Sequence, residues 1–325
     1  MEGSGMSDRK STIKYLAVKL VELILTLLLV SFMTFAAFSV IPGDAASVML
    51  GSDATPEQIS SLRAELGLDR PIAEQYFSWL GGMITGDMGR SVSFGTDVST
   101  LIGERMPVTL GLSFFALIMV IGISYPLAMI SSRKPGKFAD YVCSVLGHIL
   151  FAIPPFVLSL LMILLSSAVF GIFTVGNYVQ PSVNFGLYVS CLIMPAFCIA
   201  LPKIAMTFKF LRTSMISQLA SDHVRTAKSH GLSDIKIMFT HVLPNSNVSA
   251  ITVISIVLSD ILGGSLIVEQ VFNLPGLGRL LLSGISRRDF PLLSGMVFYL
   301  ALITVLLYFL SDIISALSDP RIRLK

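Results

Sequence analysis

The chain has 325 residues, a mean hydropathy of +0.80, 54% hydrophobic residues and only 13% charged ones. A soluble domain carries about 25% charged residues, so composition argues against a soluble enzyme. The net charge of +3 is too small to point to a nucleic-acid partner, and the three cysteines (Cys143, Cys191, Cys198) lie in apolar stretches without a CxxC pair, which excludes a disulfide framework.

Residues 1–14 form a polar, basic N-terminal segment. A membrane helix needs about 20 mostly apolar residues, because the hydrocarbon core is about 30 Å thick. Six stretches meet or approach that length: residues 15–41, 106–132, 141–170, 185–208, 248–268 and 292–317. No small-residue cleavage site follows the first, so it is expected to be a retained helix. Pro154 and Pro155 break the third and should kink it, since each removes a backbone donor. Pro195, Pro202 and Lys203 interrupt the fourth.

Residues 42–105 are too many for a plain connector and are expected to form an extracytoplasmic loop domain. Thr55-Pro56-Glu57-Gln58 reads as a capping box with proline at the first helical position, and Gly67 as the stop of that helix. A second amphipathic piece carries Ile72, Tyr76, Trp79 and Leu80. The loop holds nine Asp/Glu against four Arg. It reads as a small cap on the outer mouth, with a delivering protein as a further contact.

Lysine and arginine orient a multi-pass chain, because they collect on the cytoplasmic side. Arg9, Lys10, Lys14 and Lys19 precede or enter span one, and Arg133, Lys134 and Lys137 follow span two. Lys209, Arg212, Arg225, Lys228 and Lys236 follow span four, and Arg321, Arg323 and Lys325 follow span six. Both termini are therefore expected in the cytoplasm, and this alternation closes with six spans. Residues 106–325 form the core, with a cytoplasmic loop at 209–245.

That loop is the most informative segment, reading SDHVRTAKSHGLSDIKIMFTHVLPN from Ser221 to Asn245. Asp222 is expected to cap a short helix over 223–230, which Gly231 ends. Thr226 and Ala227 are small enough for another surface to approach closely, and Arg225 and Lys228 give basic edges. The apolar run through Ile235, Ile237, Met238 and Phe239 ends at Leu243-Pro244. A solvated connector needs none of this; a short helix docking into a partner's groove does.

In span five, Asp260 lies near mid-bilayer with Gly263 and Gly264 beside it. A carboxylate there costs roughly 2.5–3.5 kcal/mol on insertion scales and rarely faces lipid. It either pairs with a polar group on another helix or lines a pathway. Asn273-Leu274-Pro275-Gly276-Leu277-Gly278 is expected to bend back as a re-entrant turn, with Glu269 and Arg279 as polar anchors.

No GxxxxGK[ST] motif is present, so any ATPase would be a separate chain. His148, His223, His230 and His241 show no HExxH spacing, and no catalytic set converges. The fold class expected is all-α: a polytopic membrane protein of about six transmembrane helices.

The 209–245 loop resembles the signature of binding-protein-dependent importer permeases, Glu-Ala-Ala, three residues, Gly, then Leu-Pro. Here it reads Arg225-Thr226-Ala227, Gly231, Leu243-Pro244. Arginine in place of the glutamate is usual in the peptide and nickel branch. ELGLDRPIAEQYFSWL, GDMGRS and ERMPVTLGL resemble that branch's outer-loop pattern. GGSLIVEQVFNLPGLGRL, RRDFPLLSG and DPRIR resemble its C-terminal pattern, so the resemblance covers nearly the whole chain.

The resemblance implies a type I ABC importer permease in a bacterial or archaeal cell membrane. Its partners would be a homologous second permease, two ATPase subunits and an extracytoplasmic solute-binding protein, with no nucleic acid. ATP and Mg would sit in the ATPases, leaving no cofactor in this chain. Asp222, Arg225, Thr226, Ala227, Lys228, Gly231, Leu243 and Pro244 would couple to the ATPase. Asp260, Gly263, Gly264, Glu269, Pro275 and Gly276 are the candidates for the pathway. The cargo implied is an oligopeptide or dipeptide, with a nickel or metallophore–metal complex as the alternative. An ion-coupled secondary transporter remains as a different class, but paired intramembrane acids and an internal repeat are not evident.

Overall fold

The computed structural model describes residues 2–40, 45–50, 54–65, 67–170, 176 and 178–318. The DPRIR motif at 319–323 and part of the uncharged loop at 171–184 lie outside them. Among the described residues the regular structure is all helical, apart from an isolated bridge between Arg90 and Asp97, with turns and loops between the helices. In chain order the helices are α1 (Glu2–Val40), α2 (Ala45–Leu50), α3 (Pro56–Glu65), α4 (Ile72–Thr85), α5 (Val98–Arg133), α6 (Phe138–Ala152) and α7 (Pro155–Leu165). They continue as α8 (Phe185–Leu219), α9 (Asp222–Ser229), α10 (Asp234–Ile237), α11 (Leu243–Val271), α12 (Leu277–Arg287) and α13 (Phe290–Ser318).

Among the described residues five helices are long and apolar enough to cross a membrane, and the α6–α7 pair makes a sixth if counted as one span. That third span is more than kinked: its halves meet at 103°. Ile153 precedes a proline and is extended (φ −89°, ψ 121°), and Pro154 is extended too, so Pro155 begins a new helix at its first position. The opposite holds in α8, where Pro195 and Pro202 sit inside an unbroken helix of 35 residues. Neighbouring helices and local adjustment tolerate proline in membrane helices.

The chain divides into two compact units. The first comprises residues 1–16, 108–275 and 307–325. Its larger core joins α5, α8 and α11 through Leu112, Val120, Leu192, Ile199, Val257 and Ile261, all fully buried. A smaller core gathers Ala128 of α5, Phe208, Leu211 and Met215 of α8, Val224 and Ala227 of α9, and Ile237, Met238 and Val242.

The second unit comprises residues 17–107 and 276–306. The Thr55 box forms as expected: Thr55 N donates to Gln58 Oε1 at 2.9 Å and Gln58 N to Thr55 Oγ1 at 3.3 Å. Tyr76 of α4 packs between Phe32 and Phe35 of α1, at ring separations of 5.9 and 5.5 Å, and its hydroxyl meets Ser31 Oγ at 2.8 Å. Trp79 packs edge-on against Phe298 of α13 at 5.7 Å. The loop domain is thus held against the first and last long helices of its unit. Asp289, which the sequence did not single out, locks it further. Buried at the start of α13, it accepts from Ser91 Oγ (2.5 Å) and Ser93 N (2.9 Å), and caps the helix through Leu292 N (3.2 Å).

Candidate functional site

The short helix in the 209–245 loop exists as α9, but Asp222 is its first residue rather than its cap. Ser221 holds the cap position, without a side-chain cap hydrogen bond. Asp222 acts instead through charge: an acid in the first turn complements the helix dipole, and it makes an exposed ion pair with Arg225 at 3.5 Å.

Val224 and Ala227 recur at i, i+3 and are buried in the smaller core. Ala227 is therefore not on the surface that another protein could approach; its small side chain serves packing within the chain. Arg225, Thr226, Lys228 and Ser229 form the exposed face. Anchored by Val224 and Ala227 to the ends of α5 and α8, α9 is tied to the long helices rather than hung from a loose connector.

Gly231 ends α9 with φ +77°. Gly231 N bonds Lys228 O at 2.9 Å and Leu232 N bonds Ala227 O at 3.3 Å, the pairing of a Schellman cap. An added Cβ there would meet nothing within 4 Å among the described residues. The left-handed backbone is thus the local reason for glycine. Beyond it, Ser233 caps α10 by accepting from Lys236 N. Ile237 and Met238 face inward while Ile235 and Phe239 are exposed, so the apolar run is two-sided. A π-helical turn, Met238–Val242, leads into α11, whose first turn holds Leu243, half-buried, and Pro244, exposed. His223 of α9 stacks on His241 of that turn, at 6.5 Å between ring centres and 17° between planes.

Close by, Arg212 of α8 makes a bidentate pair with buried Asp140 at the start of α6, at 2.5 Å from Nε and 2.6 Å from Nη2. Ser131 Oγ and Gly136 N also donate to Asp140. One carboxylate thereby joins the end of α5, the α5–α6 turn, α6 and α8. Neither residue stood out in the sequence, because a separation of 72 positions carries no periodic signal.

On α11 the residues Thr252, Ile256, Asp260, Gly263, Ile267 and Gln270 are exposed in succession at i+3 or i+4 spacing, forming one open stripe. Asp260 is 43% exposed, and its Oδ2 accepts from Lys203 Nζ of α8 at 2.7 Å, with Lys203 19% exposed. This pair between the two helices resolves how a mid-span carboxylate is tolerated. The sequence holds both charges, an ammonium in span four and a carboxylate in span five, but not the helix pairing that brings them together. Gly263 and Gly264 have no atom of the described residues within 4 Å of an added Cβ, so they mediate no close helix packing among them.

Glu269 does not share the open stripe. It is fully buried, and its Oε1 accepts from Thr109 Oγ1 at 2.6 Å, a hydroxyl that a carboxylate withdrawn from water requires. The turn after it is compact. Asn273 takes φ +56°, Asn273 N bonds Gln270 O at 3.3 Å and Leu274 N bonds Glu269 O at 2.8 Å, a second Schellman cap. Leu274, Gly276 and Leu277 are buried and Pro275 is half-buried, so the turn is folded in rather than solvated. Arg279 lies exposed on α12.

Among the described residues the core is polytopic and helical, with the short helix α9 sharing a buried cluster with α5 and α8. The chain belongs to the family of binding-protein-dependent transport system inner membrane components, which residues 124–324 match; residues 12–113 match that family's N-terminal part. A protein of Brucella abortus (strain 2308) named as a peptide transport system permease is 34% identical over 94% of this chain and 97% of its own length. The oligopeptide transport system permease protein AppB of Bacillus subtilis (strain 168) is 33% identical over 91% and 95%, respectively. The dipeptide transport system permease protein DppB of Lactococcus lactis is 31% identical over 96% and 100%. Among solved structures, a chain of the inward-facing MetNI methionine ABC transporter aligns with a TM-score of 0.55 at 17% identity, covering 67% of this chain and 96% of that one. An amino acid ABC transporter aligns at 0.50. The fold is that of a type I ABC importer permease.

Proposed function

We propose that this chain is one permease subunit of an ATP-driven peptide importer and forms half of its translocation pathway. The names of the three full-length relatives support peptide as the cargo class. The second half would be a homologous permease. Two ATPase subunits would bind ATP and Mg, and an extracytoplasmic binding protein would deliver the peptide.

The observation that carries the coupling is α9, with a polar face turned outward and Val224 and Ala227 buried beneath the long helices. A push on that face is transmitted to α5 and α8, because packed cores shift as rigid bodies between discrete arrangements. In this reading Asp222, Arg225, Thr226, Lys228 and Gly231 meet the ATPase, while Ala227, Leu243 and Pro244 hold the helix and its exit in place. Asp260, paired with Lys203, marks the side of α11 that faces the pathway, since two charges on that stripe are ill suited to lipid.

Uptake of labelled peptides tests the cargo. Cells lacking this chain lose uptake of di- or oligopeptides and regain it on complementation, while uptake of chelated nickel is unchanged. Loss of nickel uptake alone would overturn the peptide assignment. Sidedness follows from the basic residues. Cysteine at Lys137 labels with an impermeant reagent only from the cytoplasmic side, and cysteine at Gln180 only from the outside. Equal labelling of both from one side would reject cytoplasmic termini.

A further inference from the structure

A cavity of about 390 Å³ opens between α6 and α8, lined by Ser144, His148, Phe151, Phe208, Lys209 and Arg212 among others. Its walls are mostly apolar, and the two charged residues in them, Lys209 and Arg212, are both cationic. Lys209 makes no side-chain ion pair or hydrogen bond among the described residues; only its carbonyl is engaged, by Thr213. Arg212 uses Nε and Nη2 on Asp140, which leaves Nη1 without a partner among the described residues. His148 Nδ1 lies 2.6 Å from Ser144 O, an acceptor that places the proton on Nδ1, so the imidazole adds no further N–H and the donors left are those of Lys209 and Arg212. The one acid nearby, Asp140, is saturated by Arg212, Ser131 and Gly136. An anion entering the cavity would therefore meet unneutralised donors and no competing carboxylate.

The surroundings indicate what carries that anion. Phe138 and Tyr141, at the start of α6, are 83% and 70% exposed, aromatic rings placed as at a membrane–water interface. Arg133, Lys134 and Lys137 lie just beyond them in sequence. Further along α6, Phe151 follows Ser144, Gly147 and His148 on the cavity-lining face at i+3 and i+4 spacing and is 61% exposed, so an apolar track continues from the cavity toward mid-span. A basic pocket between helices at this level, continued by an apolar track, matches an amphiphile with an anionic head. A free inorganic anion would need no such track.

We propose that this groove is a binding site for one anionic glycerophospholipid, its phosphate held by Lys209 and Arg212 and its acyl chain laid along α6. Placement in the cytoplasmic leaflet rests on the orientation proposed above; selectivity for the headgroup does not, so the two fail separately.

The test is native mass spectrometry of the assembled, detergent-purified transporter with phosphatidylglycerol, with phosphatidylcholine of the same acyl chains, and with inorganic phosphate as competitor. Phosphatidylglycerol is retained in preference to phosphatidylcholine, and inorganic phosphate does not displace it. Lys209→Gln lowers retention about fivefold, the order expected for one cation at a membrane surface, and Lys209→Arg preserves it. Ser144→Leu, which narrows the groove without touching a charge, lowers retention as well. Equal retention of both lipids, an unaffected Lys209→Gln, or displacement by phosphate would overturn the proposal. So would cross-linking of Ser144→Cys to the sister permease, which would make the groove a protein interface.

Discussion

Gly231→Val abolishes peptide uptake while the chain still inserts and accumulates, and Gly231→Asn retains most of it. The reason is backbone geometry. Gly231 sits at φ +77° in the cap that ends α9, with open space where a side chain would go. A left-handed conformation costs an ordinary L-residue roughly 1–2 kcal/mol, more for a β-branched one, and asparagine least. Valine would unwind the cap, pulling Leu232 from Ala227 O, and with it the direction in which the chain leaves α9. The smaller core keeps its buried members, so folding and insertion survive, but the exposed face of α9 is no longer held at a fixed angle. The measurement is uptake of labelled peptide, normalised to the amount of chain in the membrane. If asparagine is as damaging as valine, the partner ATPase must pack directly on Gly231, and steric approach rather than φ is its role. Full uptake by the valine variant would remove α9 from the coupling route.

Lys203→Met lowers the amount of inserted chain several-fold, and Lys203→Met with Asp260→Leu restores insertion but not peptide uptake. Each single change leaves one charge without its partner at mid-span, at roughly 2.5–3.5 kcal/mol on insertion scales. Removing both charges removes that penalty, as replacement of an ion pair by apolar groups often does. The 2.7 Å contact and the 43% exposure of Asp260 give the pair two faces. One is a clasp between α8 and α11; the other is a polar spot on an open stripe. If the clasp were its whole role, the double variant would transport normally. A peptide carries a cationic amino terminus and an anionic carboxyl terminus, so loss of uptake with intact insertion and ATP-driven conformational change is the signature of a pair that meets cargo. Immunoblots of the membrane fraction and uptake assays separate the two.

The third span and the fourth show where local reading and structure part. Both contain two prolines. In the third they are adjacent, so the extended conformation that a proline imposes on its predecessor falls on Ile153 and on Pro154 together, and the helix turns by 103°. In the fourth they are seven residues apart, about two turns, and buried packing carries α8 straight through. The sequence marks both as breaks; only the neighbours decide which one breaks.

The site divides in the same way. Features that depend on residues close in the chain were legible: the short helix of the 209–245 loop, its glycine stop and the Thr55 capping box. So were the number of apolar stretches and the family to which their joint motifs belong, because span length and motif order are one-dimensional properties. Whether Ala227 faces a partner or the chain's own core, whether Glu269 is open or buried against Thr109, and that Lys203 answers Asp260 and Arg212 answers Asp140, were set by which helices lie side by side. In a chain with 54% hydrophobic residues the apolar pattern runs nearly all the way round each span, so periodicity carries little information about which face meets which neighbour. That choice belongs to tertiary packing, where the shapes of small and large side chains and the need to pair every withdrawn charge select one arrangement of helices from the many that the spans alone permit.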